Sequence, residues 1–465
     1  MSDIKSEVNK WVHRGMDRHI RLAVTGLSRA GKTAFITSLV NQLLHSATNP
    51  RLPLLSVVRD GRLYGAKRVP QTNLSIPRFA YDDGMSSLLS TPPQWPEPTE
   101  DVSVIRLALR HKQKKGPLRL LKESATTYLD IVDYPGEWLL DLPLLELDYL
   151  SWSRQQTKMI HGKREQLAKE WMALAEEFDP FALADENQLA KIANKFTDFL
   201  HQCKEQQGLH WVQPGRFVLP GELAGAPVLQ FFPFMWFEKY SEEDLKKARP
   251  DSNIAMLQKR YEYYQQHVVK KFFKEHFSKF DRQIVLIDCL QPLNAGPESF
   301  NDMRQAVEQL MQSFKYGSNS MLKRLFAPHI DRVLFAATKA DHVTPEQHPN
   351  MVSLLQQLIH EAWQSAAYEG VAMECMSIAS IQATTPGFVS SDGESVPALT
   401  GHDVNGQSMT MFPGEVPKRL PTGDFWQEGH FDFVNFRPLP NEADVPLPHI
   451  RMDKALEFLL GDKFQ

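Results

Sequence analysis

LAVTGLSRAGKTAFITSL, residues 22–39, is the stretch that decides the fold. Residues 22–25 are apolar and predict a buried parallel strand, whereas residues 34–44 carry apolar side chains at helical spacing. Between them, residues 26–33 match the pattern G-x-x-x-x-G-K-[ST] at every fixed position. Because the N–H groups of such a loop converge at a helix N-terminus, they form a cradle for phosphate groups. A chance match in a glycine-containing turn is the alternative, and the strand–loop–helix context disfavours it.

The side chains of this loop have distinct expected roles. Lys32 is expected to reach the β- and γ-phosphate oxygens, and Thr33 to ligate Mg²⁺. Arg29 lies inside the loop and could also approach the phosphates. The residues expected to contact the nucleotide are Gly26, Ser28, Arg29, Ala30, Gly31, Lys32, Thr33 and Ala34.

A second motif ends a β-rich run. TTYLDIVDYPGEW, residues 126–138, contains a D-x-x-G pair formed by Asp133 and Gly136. An aspartate there can hold Mg²⁺ through water, and the glycine N–H can meet a γ-phosphate. Thr99 precedes another β-like run and is expected to contact Mg²⁺ and the γ-phosphate from a mobile loop. Taken alone, the D-x-x-G pair fits an ordinary turn and Thr99 fits a strand cap. In this order after the loop at residues 26–33, they favour a nucleotide site. The metal candidates are Thr33, Thr99 and Asp133, and the catalytic candidates are Glu137, Lys32 and Thr99.

A third motif points to the base. DRVLFAATKAD, residues 331–341, is a buried-strand run that includes Thr338 and Lys339 and ends in Asp341. A carboxylate at that position can accept from both N1–H and the 2-amino group of guanine, whereas adenine offers no such pair of donors. The stem of Lys339 could cover the base. A later apolar run ends near Ala379, where a backbone N–H could meet the guanine O6, and Gly136, Thr338, Lys339, Asp341 and Ala379 complete the expected nucleotide contacts.

These motifs, in this order and each at a strand end, resemble the guanine-nucleotide motifs of the Ras-like and Gα GTPases over about half of the chain. As a whole, the sequence resembles the bacterial YcjX-like family of stress-associated P-loop proteins, through GLSRAGKTAF and DYPGEWLLDLPLL. The resemblance to the Ras-like and Gα GTPases implies GTP or GDP with Mg²⁺. The resemblance to the YcjX-like family implies a stress-related role. Members of the family have been described both as ATPases and as Ras-like GTPases, so the resemblance leaves the base open.

Three positions depart from the small-GTPase pattern. Thr338 stands where asparagine is usual, which weakens guanine specificity without removing it. Glu137 stands where a glutamine would orient the attacking water, and its charge would repel the γ-phosphate, so slow hydrolysis is expected. Pro96 stands where Gα proteins carry an arginine that assists hydrolysis.

The predicted fold is an α/β P-loop NTPase with a Ras/Gα-like, doubly wound, mostly parallel sheet and an inserted helical domain. The proline-rich residues 49–98 are expected to cover the nucleotide as irregular structure. The predicted division is 1–140 and 281–380 for the two parts of the GTPase domain, 141–280 for the helical insert, 381–448 for an irregular or β insert, and 449–465 for a closing helix.

Composition narrows the class of protein. The formal net charge of −4 and pI near 6.5 disfavour nucleic-acid binding. Three widely spaced cysteines fit a reducing cytoplasm, and no uninterrupted apolar run is long enough for a transmembrane segment. A shared apolar face of Ile4, Val8, Trp11 and Val12 predicts an N-terminal helix docked on the domain, with peripheral contact at the inner membrane as the alternative.

The sequence therefore predicts a Mg²⁺-dependent GTP-binding protein that hydrolyses GTP slowly and acts as a nucleotide switch. An unidentified protein partner is expected, and a membrane-associated one is left open. An ATPase of the same fold is one alternative, separable by nucleotide competition. A scaffold that binds nucleotide structurally without turnover is the other.

Overall fold

A computed structural model describes residues 18–113, 124–276, 279–312, 330–360, 363–364, 371–391, 393–428 and 431–464. The predicted N-terminal helical face of Ile4, Val8, Trp11 and Val12 lies outside these residues.

A seven-stranded sheet in the order β2-β3-β4-β1-β5-β6-β7 organises the chain. β1 pairs in parallel with β4 and β5, and β5, β6 and β7 continue the parallel run, whereas β3 is antiparallel to both of its neighbours. The predicted α/β class with a mostly parallel sheet is confirmed. The strands are β1 (Arg18–Gly26), β2 (Leu63–Arg68), β3 (Ser103–Lys112), β4 (Ser124–Asp133), β5 (Arg282–Ile287), β6 (Arg332–Ala337) and β7 (Ala372–Ser377).

Helices cover both faces of this sheet. The α-helices are α1 (Lys32–His45), α2 (Ser56–Arg59), α3 (Tyr81–Leu88), α4 (Tyr149–Met159), α5 (Lys163–Glu176), α6 (Glu186–Glu205), α7 (Gly215–Val218), α8 (Glu242–Lys246), α9 (Asn253–Tyr264), α10 (Lys270–Glu275), α11 (Leu290–Ala295), α12 (Pro297–Gln312), α13 (His348–Leu358), α14 (Gly423–Glu428) and α15 (Met452–Leu460). On one face, Leu22 and Val24 of β1 share an apolar core with Phe35 of α1 and Leu456 of α15.

The other face is continuous with the helical region. Val132, Val285 and Phe335 of the sheet belong to the same apolar cluster as the buried Trp171 and Tyr261 of helices α5 and α9. A short π-helix at Gln265–Val269 joins α9 to α10. A 3₁₀ segment at Gly136–Glu146 leads from β4 into the helical region. The helices therefore pack on the sheet through one shared core.

The expectation of irregular structure for residues 49–98 was wrong. This segment holds α2, α3 and β2, and β2 pairs with β3 at the edge of the sheet. Of the six residues of β2, only Leu63 is buried, because an edge strand of this sheet needs little apolar surface. The missing apolar pattern explains why the sequence did not reveal the strand.

Residues 381–448 contain a second, antiparallel sheet in the order β10-β9-β8. Its strands are β8 (Thr384–Ser391), β9 (Glu394–His402) and β10 (Ser408–Met411). The three cysteines are free and buried. Among the described residues, we find no helix that is both long enough and apolar enough to cross a membrane.

Candidate functional site

A cavity of about 510 Å³ lies at the carboxyl ends of the parallel strands. Its lining includes residues from the loop after β1, the segment before β3, and the loops after β6 and β7. The sequence-predicted residues that it brings together are Arg29, Ala30, Gly31, Lys32, Thr33, Ala34, Thr99, Thr338, Lys339, Asp341 and Ala379. The other predicted residues, Gly26, Ser28, Asp133, Gly136 and Glu137, are not among its lining residues.

The loop after β1 turns sharply before it enters α1. Gly31 has a φ of 82° and Arg29 a φ of 63°, both in the left-handed region. The helix then begins at Lys32, with the N–H of Phe35 donating to the Gly31 carbonyl over 2.9 Å. The N-terminal end of α1 therefore faces the cavity, as a phosphate-binding loop requires.

The three metal candidates are brought together behind this loop. The hydroxyl oxygens of Thr33 and Thr99 are 3.3 Å apart, and the N–H of Thr99 donates to the Thr33 hydroxyl over 3.3 Å. Asp133 is buried, and its carboxylate lies beside the Thr99 hydroxyl. Burial raises the pKa of Asp133 to about 6, against the opposing charge of Lys32. Hydroxyl and carboxylate oxygens are the ligands that Mg²⁺ prefers, so these residues fit that ion.

Gly136 packs directly against the start of the loop that follows β1. A Cβ built at Gly136 would lie 2.0 Å from the carbonyl oxygen of Gly26, so only glycine fits without movement. The contact follows from the pairing of β1 with β4, which sets Val24 opposite Asp133.

Glu137 is buried and paired with a lysine that the sequence did not single out. The Nζ of Lys204, in the last turn of α6, is 3.0 Å from the Glu137 Oε1. Although burial opposes the charge, Lys204 and then Lys32 hold the pKa of Glu137 below its usual range. The same helix end contacts the phosphate loop, since the guanidinium of Arg29 donates to the Glu205 carbonyl over 3.3 Å.

Asp341 lines the same cavity, and both of its carboxylate oxygens have protein partners. One oxygen accepts from the N–H of Ala383 over 2.6 Å, and the other is 3.1 Å from the Nδ1 of His342. Although burial opposes the charge, His342 and the Ala383 N–H keep the pKa of Asp341 below its usual value. A carboxylate has about four acceptor sites, so these bonds leave room for further donors.

The two residues expected to flank the base have their own contacts. Lys339 is in the left-handed region, with its Nζ 2.7 Å from Asp288 and 5.1 Å from the centre of the Phe433 ring. The N–H of Ala379 donates to the Ile450 carbonyl over 3.1 Å, so a bond from it to a base would compete with that contact.

Several lining residues were missed by sequence reasoning. The indole N–H of Trp95 donates to the Phe436 carbonyl over 2.8 Å, which joins the segment before Thr99 to the segment after β10 across the cavity. These segments have no regular period and no motif, so only the nearness of Trp95 to Thr99 could have suggested a role. The missed lining residues are Trp95, Pro98, Gln291, His342, Ser380, Ile381, Val404, Asn435 and Phe436.

Comparison with known proteins finds relatives that match almost the whole chain. The model of the YcjX-like family, DUF463, matches residues 20–464. A protein of Escherichia coli (strain K12) named Ras-like GTPase YcjX is 58% identical over 466 residues, which cover 100% of each chain. A protein of the same name from Shewanella oneidensis is 46% identical over 468 residues, which cover 98% of this chain and 96% of that relative.

Proposed function

This chain belongs to the YcjX-like family, and on that premise we propose that it binds GTP and GDP with Mg²⁺ in the cavity and hydrolyses GTP slowly as a nucleotide switch. The observation that carries the proposal is that Lys32 and Thr33 of the loop line the same cavity as Asp341. A guanine nucleotide needs both kinds of group in one site, because Lys32 and Thr33 suit its phosphates and Asp341 suits its base.

At the phosphate end, the N–H groups at the start of α1 and the Lys32 ammonium would bind the phosphate oxygens. Thr33, Thr99 and Asp133 would hold Mg²⁺, which supplies positive charge to the phosphates. The buried carboxylate of Asp133 supports this role, because a cation would compensate a charge that burial otherwise destabilises.

At the base end, the Asp341 carboxylate would accept from N1–H and the 2-amino group of guanine. The curated relatives carry the name Ras-like GTPase, which agrees with this choice of base. A cytoplasmic location, expected from the three widely spaced cysteines, and a stress-related role, implied by the family resemblance, are parts of the proposal.

An ATPase of the same fold is the second candidate. It is favoured by two contacts, because Asp341 is already bonded to Ala383 and His342, and the Ala379 N–H is already donated to Ile450. If those bonds persist in the complex, the base end offers less to guanine.

Competition for the site tests the proposal. The nucleotide that copurifies is identified, and GTP, GDP and ATP are then titrated against a fluorescent GDP analogue with Mg²⁺ present. We expect GTP and GDP to displace the analogue at concentrations where ATP does not, with slow phosphate release from GTP. Lys32→Ala should weaken GTP binding by about ten- to hundredfold, because a charge-assisted bond contributes about 1.5–3 kcal/mol.

Lys67→Ala is the matched control, since Lys67 is an exposed lysine on β2. Stronger displacement by ATP would establish the ATPase alternative. GTP binding without phosphate release would favour the scaffold, and unchanged GTP affinity in Lys32→Ala would overturn the phosphate-loop assignment.

A further inference from the structure

The charge of Glu137 is the problem from which this inference starts. An ionised glutamate only accepts hydrogen bonds, and its charge would oppose a γ-phosphate nearby. Glu137 directly follows Gly136, whose N–H is expected at the γ-phosphate. A neutral glutamine at this position would orient water without that repulsion.

Lys204 supplies the compensating charge from the helical region. Its Nζ is 3.0 Å from Glu137, and its side chain is only 16% exposed, so water screens the pair weakly. Lys32 also stabilises the Glu137 charge, but the same lysine lies near Asp133 and is expected to bind phosphate. With Lys32 engaged by nucleotide, Lys204 is the cation left to neutralise Glu137.

The position of Lys204 is fixed by packing on both sides. The last turns of α6 are anchored by the buried Phe199, Leu200 and Cys203. On the other side, a Cβ at Gly215 would lie 2.1 Å from the Glu137 carbonyl oxygen, so the backbone of Glu137 is held closely. The ammonium and the carboxylate therefore meet with little freedom to separate.

We propose that Lys204 is a positioning residue for GTP hydrolysis, which neutralises Glu137 and holds its carboxylate toward the attacking water, so that the pair replaces a single glutamine. The inference rests on the proposed function. In hydrolysis the water oxygen bonds to the γ-phosphorus as the bond to the β–γ bridging oxygen breaks, GDP leaves with that electron pair, and the water proton passes to phosphate or solvent. Glu137 accepts a hydrogen bond from this water, and Lys204 acts only through Glu137.

A double-mutant cycle tests the pair. Lys204→Met should lower the single-turnover rate at saturating GTP by about 10- to 100-fold, as for the loss of a partner that orients a functional side chain. Glu137→Gln alone should raise the rate, because a glutamine orients the attacking water without repelling the γ-phosphate. The double variant E137Q/K204M should recover most of the rate lost in K204M, because a glutamine needs no neutralising lysine. Lys204→Arg should retain activity.

Each rate is divided by the concentration of protein that binds GDP, so that a loss of folded protein does not lower the rate. Lys195→Met is the matched control, because Lys195 lies on the same helix in an exposed pair with Glu170. If K204M does not fold, Lys204→Gln replaces it, since its amide can still reach Glu137 without carrying charge.

A K204M rate equal to that of the unaltered protein, or a double variant as slow as K204M, would overturn the inference while GTP binding stands. Failure of the unaltered protein to bind GTP would instead overturn the proposed function.

Discussion

Gly136→Ala should disable the site through one steric contact. The new Cβ would lie 2.0 Å from the carbonyl oxygen of Gly26 and 2.8 Å from its carbonyl carbon. Because non-bonded heavy atoms are most stable at about 3.5 Å, the segment after β4 and the phosphate loop must separate by about 1.5 Å. A misplacement of about 1 Å can lower a rate by about 100-fold, and overpacking costs about 1–3 kcal/mol of stability. We expect losses of that size in GTP turnover and in the free energy of unfolding.

Single-turnover phosphate release, titration with fluorescent GDP and urea unfolding measure these effects. Gly387→Ala is the matched control, because a Cβ at Gly387 would have no heavy atom within 4 Å and its backbone is not left-handed. A G136A rate within about threefold of the parent would refute the reasoning, since it would mean a loss of transition-state stabilisation below 1 kcal/mol.

Three further predictions concern Asp341, Asp141 and Trp95. Asp341→Asn should shift preference from GTP toward xanthosine triphosphate by about tenfold to several hundredfold, with ATP binding unchanged, because asparagine can donate to a 2-oxo group; an unaltered ratio in competition assays would contradict guanine recognition. Burial raises the pKa of Asp141 from 3.8 to about 7, so the folded state binds the extra proton and the free energy of unfolding should fall with rising pH in that interval by up to about 1.4 kcal/mol per unit. Asp141→Asn should lose this pH dependence of the free energy of unfolding. Urea unfolding of both proteins at pH 5.5 and 7.5 measures it, and an equal change between the two pH values in both proteins would contradict the prediction. Trp95→Ala should speed GDP release by roughly tenfold through the lost bond to Phe436, measured by a fluorescent-GDP chase with Tyr64→Ala as the exposed aromatic control.

Motif residues were predictable because parallel strands bring them to one edge of the sheet. Lys32, Thr99 and Asp341 are far apart in the chain, yet each precedes or follows a strand of that sheet, and all three line the cavity. The positions of the buried strands and the apolar faces of helices follow from patterns that the sequence displays directly.

The residues that close the site were not predictable in this way. Trp95 bonds to Phe436 and Lys204 pairs with Glu137 across long stretches of sequence, without a spacing rule. Such contacts depend on how whole segments pack against one another, which the residue pattern within one segment does not show. The edge strand β2 was missed for a related reason, since an exposed strand needs no apolar alternation.

The apolar cluster shared by the sheet and helices α5 and α9 limits how the chain can be divided. Removing residues 141–280 would take away Phe272 and Phe280, whose rings pack against the buried Tyr134 directly after β4. Exposing that much apolar surface costs about 25 cal/mol per Å², so the remaining strands would not form a minimal nucleotide-binding fragment. Calorimetry should accordingly record a single melting transition for the sheet and the helical region, because their side chains share one apolar cluster.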